Sequence, residues 1–332
     1  MKRTRFAALI LCAVMLMSLL FTGCSSKPAL KVGGENIPGG YYAYYYGYLY
    51  NSLGAYINYD DELLDEYTIS QIKQTQAIKQ LAKENKIELT ALETKSVIDA
   101  QRESIAKMGQ AAYATFLKSI GLKDKQYLDI SKSYALYSKL YSYFYNAETG
   151  IEAPSEEEIL EDYKNTNIRA THIFFNCQEA GTEDERKDIY KRAEEVYAKL
   201  EAGENFYGLI REYGEDPGVA NSPELGYYFN DKSGFDPAFT AAAYALEENK
   251  YSEIIESSMG YHIILRLPMD DDYIREQINA ENSSIRESYY QTLFAEKLAA
   301  IADAMEVVKL EAFDTMDLSG AIAVWATSSA QQ

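Results

Sequence analysis

The chain of 332 residues has two histidines, one tryptophan and three cysteines. Each scarcity excludes something. His172 and His262, with so few cysteines, cannot make the usual four-ligand zinc sets. There is no G-x-S-x-G elbow, no H-E-x-x-H pair and no P-loop, so the common marks of hydrolases, zinc peptidases and nucleotide binders are missing. Cations are also scarce: 32 Lys and Arg stand against 51 Asp and Glu, for a formal net charge of −19. That balance argues against nucleic acid as a partner and against adsorption on anionic lipid, since both want basic patches.

What is present starts with "MKRTRFAALILCAVMLMSLLFTGCSS". Three cations precede an apolar run from Phe6 to Phe21, too short for a comfortable membrane span and suited to a signal peptide. Small residues before Cys24 resemble a bacterial lipobox, although Phe21 stands where Leu is usual. The expectation is that residues 1–23 are a lipoprotein signal peptide. Cys24 is then lipidated, and the protein is held on the extracytoplasmic face of the cell membrane. An uncleaved anchor would also leave the rest outside the cytoplasm. Cys12 goes with the signal, so Cys177 has no partner for a disulfide and reads as a buried, idle thiol.

Residues 24–153 read as a helical segment. "LKVGGENIPGG" is a strand and turn, and "YYAYYYGYLYNSLGAYI" is a helix with an unusual share of the chain's 30 tyrosines. Those tyrosines suit a sticky client groove, but packing between helices is the favoured reading. Apolar residues recur at helical spacing through Leu64, Ile72, Ile78 and Leu81, and Thr90 with Glu93 forms a capping-box pattern. After a linker-like "NAETGIEAPS", Ser155 and Glu158 repeat that pattern; the acids of "SEEEILED" are a solvated first helical turn. Within a mixed domain expected over 154–268, the chain from 168 runs β-α-α-β-α-β-β, an α+β order. Residues 269–313 are a helix or two followed by a strand at 306–313 that could pair with residues 30–33. The flanks thus form one mainly α-helical domain with the mixed domain inserted. The tail, 314–332, is expected to be disordered, with "GAIAVWA" at most a short strand.

Four pieces carry a family resemblance: "ATHIFF", "ENFYGLIREYGEDPGVANSPELGYYF", "DPAFTAAAYAL" and "YSEIIESSMGYHIIL". In this order and spacing they resemble the parvulin-type peptidyl-prolyl isomerases. The resemblance implies a four-stranded antiparallel sheet with helices, and neighbouring central strands that bring His172 and His262 together. It implies Asp216 as the acid facing the substrate amide, and Leu225, Phe235 and Phe239 around the proline ring. Some relatives carry a hydroxyl shortly before the glycine-aromatic-histidine signature; here the register gives Met259 at that position and Ser258 beside it. The basic loop of phospho-specific members is absent. No metal or other cofactor is needed. Without the family, Asp216 would pass for a turn aspartate before Pro217-Gly218, and both histidines for core residues that fix strand geometry.

The whole layout resembles the PrsA-type foldase lipoproteins, and its first strand and helix resemble SurA-type chaperones. The resemblance implies a membrane-tethered foldase whose partners are unfolded exported polypeptides with X–Pro bonds; the oligomeric state is open, a homodimer included. Two rivals remain. One is a holdase with an inactive parvulin domain. The other is a solute-binding surface lipoprotein.

Overall fold

A computed structural model describes residues 27–329; the leader and Cys24 lie outside them. Two compact units emerge. One comprises the described residues up to Ala153 together with those from Tyr290 onward, and the other is Pro154–Tyr289. Among the described residues, no helix is long and apolar enough to cross a membrane.

In the first unit, β1 (Pro28–Val32) and β2 (Glu35–Pro38) form an antiparallel hairpin. β7 (Val307–Lys309) pairs antiparallel with the other edge of β1, Val32 opposite Val307, so segments before and after the second unit share one sheet. The observed strand is shorter than the 306–313 expected. Five helices follow the hairpin: α1 (Gly39–Leu53), α2 (Asp61–Glu84), α3 (Ala91–Met108), α4 (Gln110–Ile120) and α5 (Asp124–Tyr145). Asp60 caps α2 by accepting from the Glu62 and Leu63 amides, and the Thr90–Glu93 capping box opens α3.

The tyrosines of α1 are packing residues. Tyr41, Tyr42, Tyr45 and Tyr46 are buried. The hydroxyls of Tyr41, Tyr42 and Tyr46 donate to Asp129 (2.9 Å), Asp65 (2.7 Å) and Asp61 (3.0 Å), and that of Tyr45 is hydrogen-bonded to the Thr75 hydroxyl (2.9 Å). A ring can be buried in this way because its one polar atom still finds an acceptor at the helix surface.

The second unit holds α6 (Glu156–Thr166), β3 (Ile168–Asn176), α7 (Glu183–Glu201), α8 (Phe206–Tyr213), α9 (Pro217–Ala220), β4 (Tyr227–Phe229), α10 (Pro237–Ala245), β5 (Ile255–Glu256), β6 (Gly260–Leu267) and α11 (Asp271–Asn279). Its antiparallel sheet has the order β4-β3-β6-β5, placing β3 and β6 at the centre. Strand alternation divides the core. Ile173, Phe175, Ile263 and Leu265 pack on one face against Ala193 and Val196 of α7 and Leu209 and Ile210 of α8. Ala170 and Ile264 face the other way, against Phe229 and Phe239. Gly260, where β6 begins, has φ +153°, and a Cβ there would lie 2.0 Å from the Phe175 carbonyl oxygen. Only glycine lets the two central strands close at that end.

Two expectations are corrected. The second unit extends past residue 268 to Tyr289, because α11 buries Ile274 and Ile278 and its Arg275 pairs with Glu156 and Glu157 of α6. The boundary falls within α12 (Ser284–Asp303). Within the expected tail, Ser319–Ser329 is neither disordered nor a strand but a helix, α13. Ala321 is fully buried, and the Trp325 ring meets Tyr44, Tyr48 and Phe116 edge-on at 5.4–5.7 Å.

Candidate active site

The register of the central strands sets the site. Phe174 lies opposite His262, and His172 opposite Ile264, so the two imidazoles are diagonal neighbours on one face. Both residues are 5% exposed. His172 Nδ1 and His262 Nδ1 are 3.0 Å apart, and the rings lie nearly parallel with centroids 5.1 Å apart. Phe174 stacks on the His262 ring at 4.7 Å.

The third member comes from the loop after α8. Asp216 caps the short helix α9, its Oδ1 accepting from the Gly218 amide at 2.8 Å. Its Oδ2 is 2.7 Å from His172 Nε2 and accepts from the Tyr227 hydroxyl at 3.0 Å. A Cβ on residue 218 would sit 1.8 Å from that hydroxyl, so Gly218 is what lets Tyr227 reach the acid. Burial and Asp216 push the Tyr227 phenol up to about 12, so it donates.

Sequence reasoning missed the fourth member. Ser257 is buried, and its Oγ lies 2.7 Å from His262 Nε2. The Met259 and Gly260 amides donate to the same oxygen at 3.1 and 3.3 Å. The result is a continuous line from Ser257 through His262 and His172 to Asp216.

Proton positions along this line follow from charge. The hydrogen bond from His172 holds the Asp216 carboxyl at about 2, below 3.8, despite burial acting the other way. Asp216 is therefore ionised and accepts, and His172 Nε2 carries the proton. His262 stays neutral, because burial and then the neighbouring His172 push it down to about 3. Two polarities satisfy every atom. With His172 neutral, its Nδ1 accepts from His262 Nδ1–H, and His262 Nε2 accepts from the Ser257 hydroxyl. With His172 protonated, each bond reverses, and the Ser257 hydrogen turns to the Gly260 carbonyl, 3.2 Å away.

Above this line is a group of aromatic rings. Phe239 is 2% exposed and meets both imidazoles edge-on, at 5.2 and 5.3 Å. Phe235, half-buried, stacks on Phe239 at 5.4 Å and touches Tyr227 and Phe229 at 5.3 and 4.8 Å. The remaining expected residues are less engaged. Leu225 is half-buried, and its carbonyl accepts from Arg169 Nε. Met259 is 44% exposed. Ser258 is exposed and turned away from the histidines: its amide and hydroxyl both donate to Asp236, at 3.0 and 2.7 Å. Cys177 is buried, and burial pushes its thiol up from its usual range. Among the described residues no group of His, Cys, Asp and Glu could hold a metal ion.

Residues 172–267, which begin at the first histidine and end with β6, match the Rotamase family, the PPIC-type PPIASE domain. This segment is a PPIC-type PPIase domain. The chain is similar to the foldase protein PrsA of Halalkalibacterium halodurans, 32% identical over 161 residues, 45% of this chain and 44% of that protein. The foldase protein PrsA of Geobacillus kaustophilus is 39% identical over 113 residues, 33% of this chain and 35% of that protein. The chain thus spans less than half the length of these curated relatives. The crystal structure of peptidylprolyl isomerase (PrsA) from Bacillus cereus aligns over 76% of this chain and 89% of that one, at 22% identity and a TM-score of 0.36. The PPIase domain contains the whole line of four polar residues and every ring packed over it.

Proposed function

We propose that the protein is a lipid-anchored extracytoplasmic foldase that isomerises X–Pro peptide bonds in unfolded exported chains. His172, Asp216 and His262 are its catalytic polar group, with Leu225, Phe235, Phe239, Met259 and Ser258 around the proline. The observation that carries this reading is the line from Asp216 to Ser257 beneath Phe235 and Phe239, within a PPIC-type segment.

The chemistry needs no bond cleavage. An X–Pro amide crosses a barrier of ~18–20 kcal/mol, and it isomerises unaided in tens to hundreds of seconds. Twisting the bond ends resonance, so the carbonyl oxygen loses negative charge and the nitrogen becomes pyramidal. An apolar ring socket solvates that less dipolar state better than the planar one. The Asp216 carboxylate, 22% exposed, places a fixed negative charge beside the carbonyl and disfavours the planar form further. The two neutral or singly charged imidazoles hold that carboxylate in place, so no reorganisation is needed during rotation. Lowering the barrier by ~5 kcal/mol would accelerate isomerisation roughly 10³–10⁴-fold.

Solvent-jump isomerisation of an X-Pro tetrapeptide tests the reading. The wild type accelerates the slow phase, and Asp216→Ala returns it towards the spontaneous rate with an unchanged circular dichroism spectrum. One observation favours a second reading: exposed Met259 occupies a position where the resemblance allows a hydroxyl. Suppression of client aggregation by a wild type that does not accelerate the tetrapeptide would make the protein a holdase instead. Mass spectrometry of the mature N-terminus tests lipidation of Cys24.

A further inference from the structure

The first unit contains a cleft of about 580 Å³ between the C-terminal end of α2, the loop after it and one face of α5. Four lysines line it: Lys79, Lys83, Lys86 and Lys132. Lys79 is paired with Asp129 at 2.8 Å. Lys83, Lys86 and Lys132 make no ion pair within 4 Å among the described residues, although the charge of Lys132 acts on Asp129, in a chain whose net charge is −19. The floor between them is apolar, with half-buried Ile87, Leu89 and Leu136.

Lysines at a helix C-terminus can serve simply to complement the dipole, but two features go beyond that. Lys132 projects from the middle of α5, a different helix. Lys86 has φ +56°, in the left-handed region. It occupies the position after α2 where a 6→1 bond from Ile87 N to Ala82 O (2.8 Å) closes the helix, a position that favours glycine. A side chain is held there at a conformational cost, on a residue that lines the cleft.

Resting on the foldase reading above, we propose that this cleft is a client-binding subsite for extended polypeptide that alternates acidic and apolar residues. Carboxylates meet Lys83, Lys86 and Lys132, and aliphatic side chains meet Ile87, Leu89 and Leu136. Glu88 and Asp129 on the same rim repel dense polyanions and leave room for a peptide whose charges are spaced. A chain this acidic would otherwise repel acidic clients, and the cleft lining carries four lysines against two acids.

The test uses the full mature chain and a fluorescein-labelled peptide of repeated Glu-Leu-Asp-Val, read by anisotropy. Three results are expected. The peptide binds and is released by salt, and its Gln/Asn counterpart binds much more weakly. Lys83→Glu with Lys132→Glu weakens binding about tenfold or more, and the Gln double variant does so by less. Lys86→Gly weakens binding two- to threefold while raising the melting temperature, a combination that a purely structural lysine would not give. All variants keep wild-type tetrapeptide isomerisation, so a wild type without isomerase activity would defeat the foldase reading and leave the peptide result standing. Equal binding of the neutral peptide, or indifference to both charge reversals, overturns the proposal. So does charge-dependent binding of polyphosphate or of phosphatidylglycerol vesicles without binding of the peptide.

Discussion

The two units use the same bond for different ends. In the helical unit, Tyr42 donates to Asp65 and Tyr41 to Asp129; in the PPIase domain, Tyr227 donates to Asp216. What differs is the cation on the other side of the acid. Asp65 takes Lys309 at 2.5 Å and Asp129 takes Lys79 at 2.8 Å. Asp216 takes His172 at 2.7 Å. The lysine ends each set in the helical unit, so those tyrosine–acid–lysine sets are local fasteners. The imidazole has a second ring nitrogen bonded to His262, so the equivalent set in the second unit continues into the line that ends at Ser257. The lesson is that a phenol–carboxylate pair carries no function by itself; its third partner decides.

Removing the acid on each side sharpens this contrast most. Asp216→Ala should lower kcat/KM for a proline tetrapeptide by about 10²-fold, the usual scale for deleting one electrostatic group at a reacting centre. Asp65→Ala should leave that rate within twofold and lower the melting temperature. Equal effects on the rate would erase the distinction.

Acid should separate the units next. Between about pH 3 and 6.5, His262 is neutral when folded and takes up a proton when unfolded, so stability rises with pH across that window and falls as pH drops below 6.5. From pH 6.5 to 5 the loss is about 1.6 kcal/mol, since the full slope of about 1.36 kcal/mol per pH unit is reached only below the unfolded value. Asp216 adds a separate loss at lower pH: its stabilisation is complete above 3.8 and disappears as pH falls through about 2. Chemical denaturation at several pH values, with His262→Phe as control, should show the first dependence vanish in the variant.

The smallest effects concern single hydroxyls. Tyr42→Phe should cost about 1 kcal/mol of stability, the typical net worth of one hydrogen bond, with no change in isomerisation. Ser257→Ala should cost a similar amount and also slow isomerisation severalfold, because His262 Nε2 loses its partner. An unaltered rate would remove Ser257 from the working line.

Much of this was legible in the residues, for identifiable reasons. The two histidines stand out by scarcity, and the alternation around them fixes which face they share. The capping boxes at Thr90 and Ser155 are local, and local patterns survive tertiary packing. Ser257 was passed over because a tight turn, rather than linear spacing from Gly260, brings its hydroxyl to His262. The helix at Ser319–Ser329 gave no helical period: its "GAIAVWA" core is apolar in a row, and Trp325 and Ala321 pack against different neighbours. The boundary at Tyr289 depends on Arg275 meeting Glu156 and Glu157, well over a hundred positions away. The lysine cleft draws residues from two helices that no linear pattern connects.

The pairing of Val32 with Val307 dictates an order of assembly. A chain emerging from a pore amino end first can complete the unbroken segment Pro154–Tyr289 as soon as it is out. The helices made earlier must wait for the closing strand and Trp325, which follow that segment in the chain. The unbroken second unit can therefore fold before the strand that closes the first unit's sheet has been made.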